Sequence, residues 1–377
     1  MGNYESISFF KGLNTLRFIA AFLVVMHHTE TIRKKNGLPN LEWLGLFRNG
    51  NNAVLFFFVL SGFLITYLLL KENKNTNTIS IKTFYLKRVL RIWPLYFLLV
   101  LIGTLLLPFF LNLFHIPYNM PYTFSNSWYY FVFFVPGLVT LYFGTHFLEP
   151  LWSIGVEEVF YLIWAPLFKW SKRRILYLLF SVLSIKLLLN IFFILFYKHN
   201  FLSYIVQYHS FEAMAVGGLG AYYVFNYKKN LSNLFIYKKN LQVLLYGLLI
   251  TFLIFHNNIS HPIWTIFFFT PIISKLILFC LFLYCIVGVS LIDKNILKLE
   301  NKLLSYLGEI SYGIYMYHML IIFTIILLLK KYFLHVNIYV GSILFYSIIF
   351  LSVVALASLS KYFFENYFLR LKKKVAP

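Results

Sequence analysis

Apolar residues arrive along this chain in blocks of about 20, each long enough to cross roughly 30 Å of hydrocarbon as a helix. That feature constrains the fold more than any other. Inside hydrocarbon every backbone N–H and C=O must find a partner within the protein, so only helices and closed barrels can span. A barrel would show short alternating strands separated by turns, and the sequence shows no such pattern. The expected fold is therefore all-α, a polytopic transmembrane helical bundle. Composition agrees. Of the 377 residues 60% are hydrophobic and 12% charged, and Phe alone occurs 44 times. Soluble domains sit at about 45–50% apolar.

The formal net charge is +21. A basic chain raises the question of nucleic acid, but here the Lys and Arg lie between apolar blocks rather than along one face. They read as topology signals, and no nucleic-acid partner is expected. Cys280 and Cys285 fall inside one apolar run, with neither a disulfide framework nor zinc spacing. No metal is expected. The first apolar block lacks a small-residue cleavage site, so it is expected to remain as the first span.

Spans are expected at 13–32, 52–70, 91–110, 151–168, 175–197, 203–226, 241–257, 263–291, 308–329 and 338–360. Residues 127–147 are also apolar, but Pro136, Gly137 and Gly144 suit an uninterrupted helix poorly. Charge separates the two topologies. With the N-terminus inside and 127–147 not crossing, the inside segments carry 22 Lys and Arg and the outside segments seven. If 127–147 crossed, every later loop would flip and the bias would largely vanish. The positive-inside rule thus points to ten spans, both termini cytoplasmic, and 127–147 as a re-entrant or interfacial element. Such an element is tolerated at depth only under a cover of protein or beside a cavity. No soluble domain or repeat interrupts the pattern. Residues 1–377 read as one membrane-embedded domain in the plasma (inner) membrane.

Ionisable groups inside spans are costly and are functional candidates. Arg17 and His28 stand 11 residues apart in LRFIAAFLVVMHH (16–28), close to three helical turns. They share one face, roughly 16 Å apart along the axis. An arginine suits a phosphate-bearing ligand, and a histidine suits general-base work near neutral pH. The same spacing also accommodates an interfacial arginine and a histidine that caps the outer end of the span. Arg88 and Arg91, at i and i+3, form a fork for phosphates or an ordinary basic collar. Ser61 and Gly62 fall mid-span, where small residues let helices approach closely. Glu157 and Glu158 lie two turns into a span and need neutralisation or partners such as His28, Arg17 or His318. Ser311, Tyr312, Tyr315 and His318 line one helix face. Glu212 is a further buried carboxylate.

Together these stretches resemble the integral membrane acyltransferase-3 family, in order and over nearly the whole chain. The family's basic residue, ten-residue gap and histidine match Arg17 and His28, not His27. Its SGFL matches Ser61 to Leu64, and its R-x-x-R matches Arg88 and Arg91. Its W-S-x-x-V-E-E-x-F-Y matches Trp152, Ser153, Val156, Glu157, Glu158, Phe160 and Tyr161, and is the most specific of the set. Its I-S-Y-x-x-Y-x-x-H matches Ile310, Ser311, Tyr312, Tyr315 and His318. The closing glutamate before proline departs slightly, as Glu365 followed by Asn366.

The resemblance implies transfer of an acyl group, commonly acetyl, from cytoplasmic acyl-CoA to a hydroxyl of an extracytoplasmic carbohydrate or glycolipid. Arg17, Arg88 and Arg91 would hold the phosphates of acyl-CoA, with acetyl-CoA the expected co-substrate. His28 would act as general base or carry the acyl group briefly, and Glu157 would orient or charge-balance its imidazole. Ser61, Trp152, Glu158, Tyr312 and His318 would contact substrate. Relatives with a fused extracytoplasmic esterase-like domain exist, and this sequence is short for one. A rival reading is a transporter that uses Glu157, Arg17 and His28 as a proton relay. Inverted repeats would favour it, and none is visible.

Overall fold

Helix is the only regular secondary structure among the described residues of the computed structural model, which are 10–116, 120–171, 174–197, 201–231, 233–255 and 271–375. The helices are α1 Leu13–Lys35, α2 Gly50–Thr76, α3 Ile81–Leu113, α4 Phe124–Val132, α5 Gly137–Phe143, α6 Leu151–Trp170 and α7 Ile175–Phe196. They continue as α8 Phe201–Tyr208, α9 Phe211–Leu231, α10 Lys239–Phe255, α11 Pro271–Leu291, α12 Lys302–Glu309, α13 Ser311–Phe333 and α14 Ile338–Lys372. Helices occupy the ten expected spans, but 203–226 is divided between α8 and α9 at residues 209–210, and 308–329 between α12 and α13 at Ile310. Residues 256–257 and 263–270 of two of those spans lie outside the described residues.

Seven of the helices are long and apolar enough to cross a membrane: α2, α3, α7, α11, α13, α14, and α6 taken from Glu149. The chain is a multi-pass membrane protein. α10 is apolar but spans 17 residues. α1 carries Arg17, Glu30 and Arg33, and α9 carries Glu212. The segment 127–147 does not form one helix. It becomes the short α4 and α5, broken at Phe133–Pro136, and Phe134 sits in the left-handed region at φ 56°. Nine residues rise about 14 Å as a helix, too little to cross.

The chain divides into two compact units. The first comprises Met1–His27, Glu42–Ile79 and Ala165–Glu309. Its centre is the contact of α2 with α9. A Cβ on Gly62 would lie 2.0 Å from the Met214 carbonyl oxygen, and one on Gly217 would lie 2.0 Å from that of Val59. Glycine at both positions lets the two backbones touch, the small-residue packing expected around Ser61. Elsewhere in this unit, buried Gln242 donates to the carbonyls of Tyr237 and Lys294 at 2.7 and 3.0 Å and accepts from the Ile296 N–H at 2.8 Å. That ties the loop after α11 to α10.

The second unit comprises His28–Leu41, Ser80–Trp164 and Ile310–Pro377. Pro94 lies inside α3, and a π-helical turn follows at Ile102–Leu106. Both interrupt the regular backbone ladder and reshape the helix. The break between α4 and α5 packs on this helix: Tyr96 donates its hydroxyl to the Phe131 carbonyl at 3.0 Å, and the Phe134 ring stacks on Tyr96 at 4.7 Å. A Cβ on Gly155 of α6 would come within 2.4 Å of the Phe134 carbonyl oxygen. Only glycine admits the irregular backbone there; within the break Pro136 is buried, while Phe133 is 71% exposed.

Candidate active site

α13 begins afresh at Ser311, because Ile310 breaks it from α12. Restarted there, it presents Tyr312, Tyr315 and His318 at successive turns. The Tyr312 hydroxyl donates to the Ile92 carbonyl of α3 at 2.9 Å. The Tyr315 hydroxyl donates to the Pro150 carbonyl at 2.9 Å and lies 2.8 Å from Ser153 Oγ at the head of α6. Those bonds hold α13 against α3 and α6 and fix the height of His318.

His318 is fully buried. Its Nδ1 meets the carbonyl of Tyr315, and its Nε2 lies 3.1 Å from His28 Nδ1. The ring centroids are 5.0 Å apart. A carbonyl can only accept, so Nδ1 of His318 carries the hydrogen. In the neutral ring, Nε2 is then the acceptor, and His28 Nδ1–H donates to it. The hydrogens are assigned from this network. Nε2 of His28 is thereby the unprotonated, basic nitrogen of its ring. The sequence reading expects His318 among the substrate contacts; in the structure its Nε2 lies against Nδ1 of His28. His27 faces elsewhere: its Nδ1 lies 3.3 Å from the Phe47 carbonyl within the first unit.

His28 is held by the end of α1, which runs three residues beyond the expected span. Two residues past His28, Glu30 is fully buried; it accepts from Arg33 at 2.7 Å and from the Tyr346 hydroxyl at 2.6 Å, and also takes the Leu41 N–H. Arg33 stacks on Phe345 at 5.4 Å. In the sequence Arg33 passes as a loop cation; here it anchors the helix.

On α6, Glu157 accepts from the Tyr161 hydroxyl at 2.7 Å, and Glu158 accepts from Trp93 Nε1 at 3.0 Å. Trp152 lies in the same helix's first turn. The Arg88 guanidinium lies over the rings of Phe84 and Tyr161, at 5.6 and 5.4 Å. Arg88 Nε and Glu158 Oε1 are buried without a hydrogen-bond partner. A buried polar atom left dry costs about 1–3 kcal/mol, so this pair marks space for a polar group. Arg91 is exposed. Lys87, Arg88, Arg91, Lys361 and Lys372 lie within electrostatic reach of one another around Lys372. Lys361 and Lys372 escaped the sequence reading because a lysine collar at a span end looks the same wherever it falls. Trp93 escaped it as one more interfacial aromatic.

The second unit therefore gathers His28, Arg88, Arg91, Trp152, Glu157, Glu158, Tyr312 and His318. Arg17 and Ser61 belong to the first unit. Arg17 donates to Asn14 Oδ1 at 3.0 Å, and Asn14 reaches Ser305 Oγ at 3.5 Å. Among the described residues, no three His, Cys, Asp or Glu side chains converge as metal ligands would.

The acyltransferase-3 model, described as an acyltransferase domain, matches residues 10–361. The chain is similar to SACOL0978 of Staphylococcus aureus (strain COL), whose name assigns O-acetyltransferase activity provisionally. Identity is 32% over 167 residues, 42% of this chain and 24% of that protein. It is similar to O-acetyltransferase OatA of Staphylococcus aureus (strain NCTC 8325 / PS 47), at 31% over 198 residues, 48% of this chain and 30% of the relative. Peptidoglycan O-acetyltransferase OatA of Listeria monocytogenes serovar 1/2a (strain ATCC BAA-679 / EGD-e) is 28% identical over 179 residues, 43% of this chain and 25% of its own. These alignments span less than a third of each relative's length. No solved structure matches the chain. The family match runs through every residue of the second unit's cluster from His28 to His318, and on that ground the chain belongs to the acyltransferase-3 family.

Proposed function

We propose that the protein is a membrane O-acyltransferase that moves an acyl group, acetyl first among them, from acyl-CoA to a hydroxyl of a cell-envelope carbohydrate. The observation that carries the reading is the hydrogen-bonded pair of His28 and His318, anchored on the Tyr315 carbonyl. His28 Nε2 takes the proton of the acceptor hydroxyl as its oxygen attacks the thioester carbonyl carbon. The C–O bond forms, the C–S bond breaks, and the thiolate leaves to be protonated by the His28 imidazolium. Once His28 is protonated, its Nδ1–H bond to His318 becomes charge-assisted and stronger. His318 thus fixes the tautomer and stabilises the charged state. Glu157, on the face of α6 shared with Tyr161, supplies compensating negative charge.

The phosphates of acyl-CoA fall to Arg88 and Arg91 of the second unit. The N–H of Arg88 Nε that lacks an acceptor suits a phosphate oxygen. Glu158 Oε1 takes a donor from the substrate, and Trp152 and Tyr312 complete the contacts. The donor side is cytoplasmic, with both termini there, and the acceptor lies across the plasma membrane. The names of the relatives support O-acetylation, and one supports peptidoglycan as the acceptor class.

The test is transfer from radiolabelled acetyl-CoA to solubilised peptidoglycan by the full chain in nanodiscs. His28→Ala is expected to lower turnover about 10²–10⁴-fold, the usual size of a general-base contribution. Undiminished transfer by that variant removes His28 from the chemistry. Substrate flux without acyl turnover points to a transporter instead.

A further inference from the structure

The end of α1 carries two polar side chains that meet different neighbours. His28 and Glu30 are two residues apart, so on a helix they stand about 200° apart, on opposite faces. His28 meets His318 of α13 at 3.1 Å. Glu30 meets α14, where the Tyr346 hydroxyl donates to its Oε1 at 2.6 Å. Arg33, one turn on, donates to the same oxygen at 2.7 Å and lies over the Phe345 ring. Oε2 takes the Leu41 N–H. The chain delivers that N–H because α1 ends just before Gly37, whose φ of 70° is left-handed. The turn sends the Leu38 N–H back to the Arg33 carbonyl at 2.9 Å, a Schellman-type stop.

Glu30 and Arg33 are 0% and 3% exposed, and every residue of this network belongs to the second unit, as do His28 and His318. A buried ion pair adds little stability over apolar residues of equal volume; its best-attested use is to fix a register, because a shift leaves a buried charge unpaired. Arg33 neutralises Glu30, so the pair holds a place rather than lending charge to His28. The place matters. Side-chain atoms lie roughly 6 Å from a helix axis, so a rotation of α1 by about 20° would carry the imidazole about 2 Å. That is enough to break the 3.1 Å contact with His318. With α13 on one face, and α14 and the Leu41 loop on the other, α1 cannot rotate without breaking one set of bonds.

We propose that Glu30, held by Arg33 and Tyr346, is a positioning residue: it sets the rotation of α1 and so the place of His28 Nε2, acting through His28 rather than by touching substrate. The proposal rests on the reading of His28 as the base of acyl transfer. The experiment compares the parent chain in nanodiscs with two variants. Tyr346→Phe removes one donor and keeps the shape; Glu30→Asp keeps the charge and shortens the reach by one methylene. Per folded molecule, kcat for acetyl transfer is expected to fall several-fold in Tyr346→Phe and about 100-fold in Glu30→Asp, the usual cost of a misplacement of about 1 Å. KM for acetyl-CoA is expected to stay at the parent value. A purely structural role would lower the folded fraction and leave kcat per folded molecule intact. A second readout needs no transfer: the rate at which diethyl pyrocarbonate modifies His28, mapped by peptide mass spectrometry, is expected to shift in both variants. Tyr346→Phe carries the test alone should Glu30→Asp fail to fold. An unchanged kcat or an unchanged modification rate in Tyr346→Phe overturns the proposal, as does parent kcat in a folded Glu30→Asp. A parent chain that transfers no acetyl group, beside a shifted modification rate in the variants, sinks the acyl-transfer reading and leaves the positioning of His28 standing.

Discussion

Two parts of the second unit handle their polar groups in opposite ways. Around His28 and His318 the protein completes the network: carbonyl to imidazole to imidazole, backed by the Tyr315 bonds to Pro150 and Ser153. Around Arg88 and Glu158 it stops short, leaving Nε of one and Oε1 of the other buried and unmatched. A closed network holds one tautomer and one geometry; an open one is completed by whatever binds. The contrast matches the proposed roles, a proton carrier in the closed network and ligand-binding groups in the open one.

The sharpest way to break that contrast is on the closed side. His318→Leu removes the acceptor that holds the His28 tautomer while keeping the volume apolar. Turnover in the acetyl-CoA assay is expected to fall about 100-fold, within the range for general-base catalysis, with the KM for acetyl-CoA unchanged. A rise in KM with turnover intact would make His318 a substrate contact instead. On the open side, Arg88→Ala with Arg91→Ala is expected to weaken acetyl-CoA binding about tenfold per charge-assisted contact. The loss should shrink as ionic strength rises, read by calorimetric titration at two salt concentrations. Binding indifferent to the double change would remove the phosphate fork.

Two smaller effects sharpen the picture. Lys372→Gln takes one charge from the cluster around Arg88 and Arg91; acetyl-CoA affinity should drop several-fold at low salt and hardly at all at high salt. Tyr315→Phe deletes the hydroxyl shared by Pro150 and Ser153. Its expected cost is about 1 kcal/mol in thermal unfolding, with a modest fall in turnover because His318 sits on the same helix. A variant as stable as the parent would mean that the Tyr315 bond does not fix α13.

The helical, multi-pass character of the fold was legible beforehand, since hydrocarbon thickness dictates helix length. The interruption of 127–147 was readable from Pro136, Gly137 and Gly144, and the structure breaks the segment at Phe133–Pro136. The restart of α13 at Ser311 was not readable, because Ile310, where the break falls, is apolar like its surroundings. At the candidate site, residue types named candidates; the structure gathers eight of them in the second unit and leaves Arg17 and Ser61 in the first. Arg33 shows where that stops: it has the same letter and the same end-of-span place as a topology cation, yet it is buried on Glu30.

Taken alone, the amino-acid order determined that the chain lives as helices in a bilayer and which side chains there are too polar to be idle. Those are local properties, set by hydropathy, length and periodicity. Only the tertiary structure decided that His28 meets His318, that Glu158 meets Trp93, and that Lys186 and Asn190 meet Glu212. Each partnership except the last joins residues 65 or more positions apart in the chain. Helix spacing cannot reach across such separations; they close only when packing brings separate helices to the same depth and rotation.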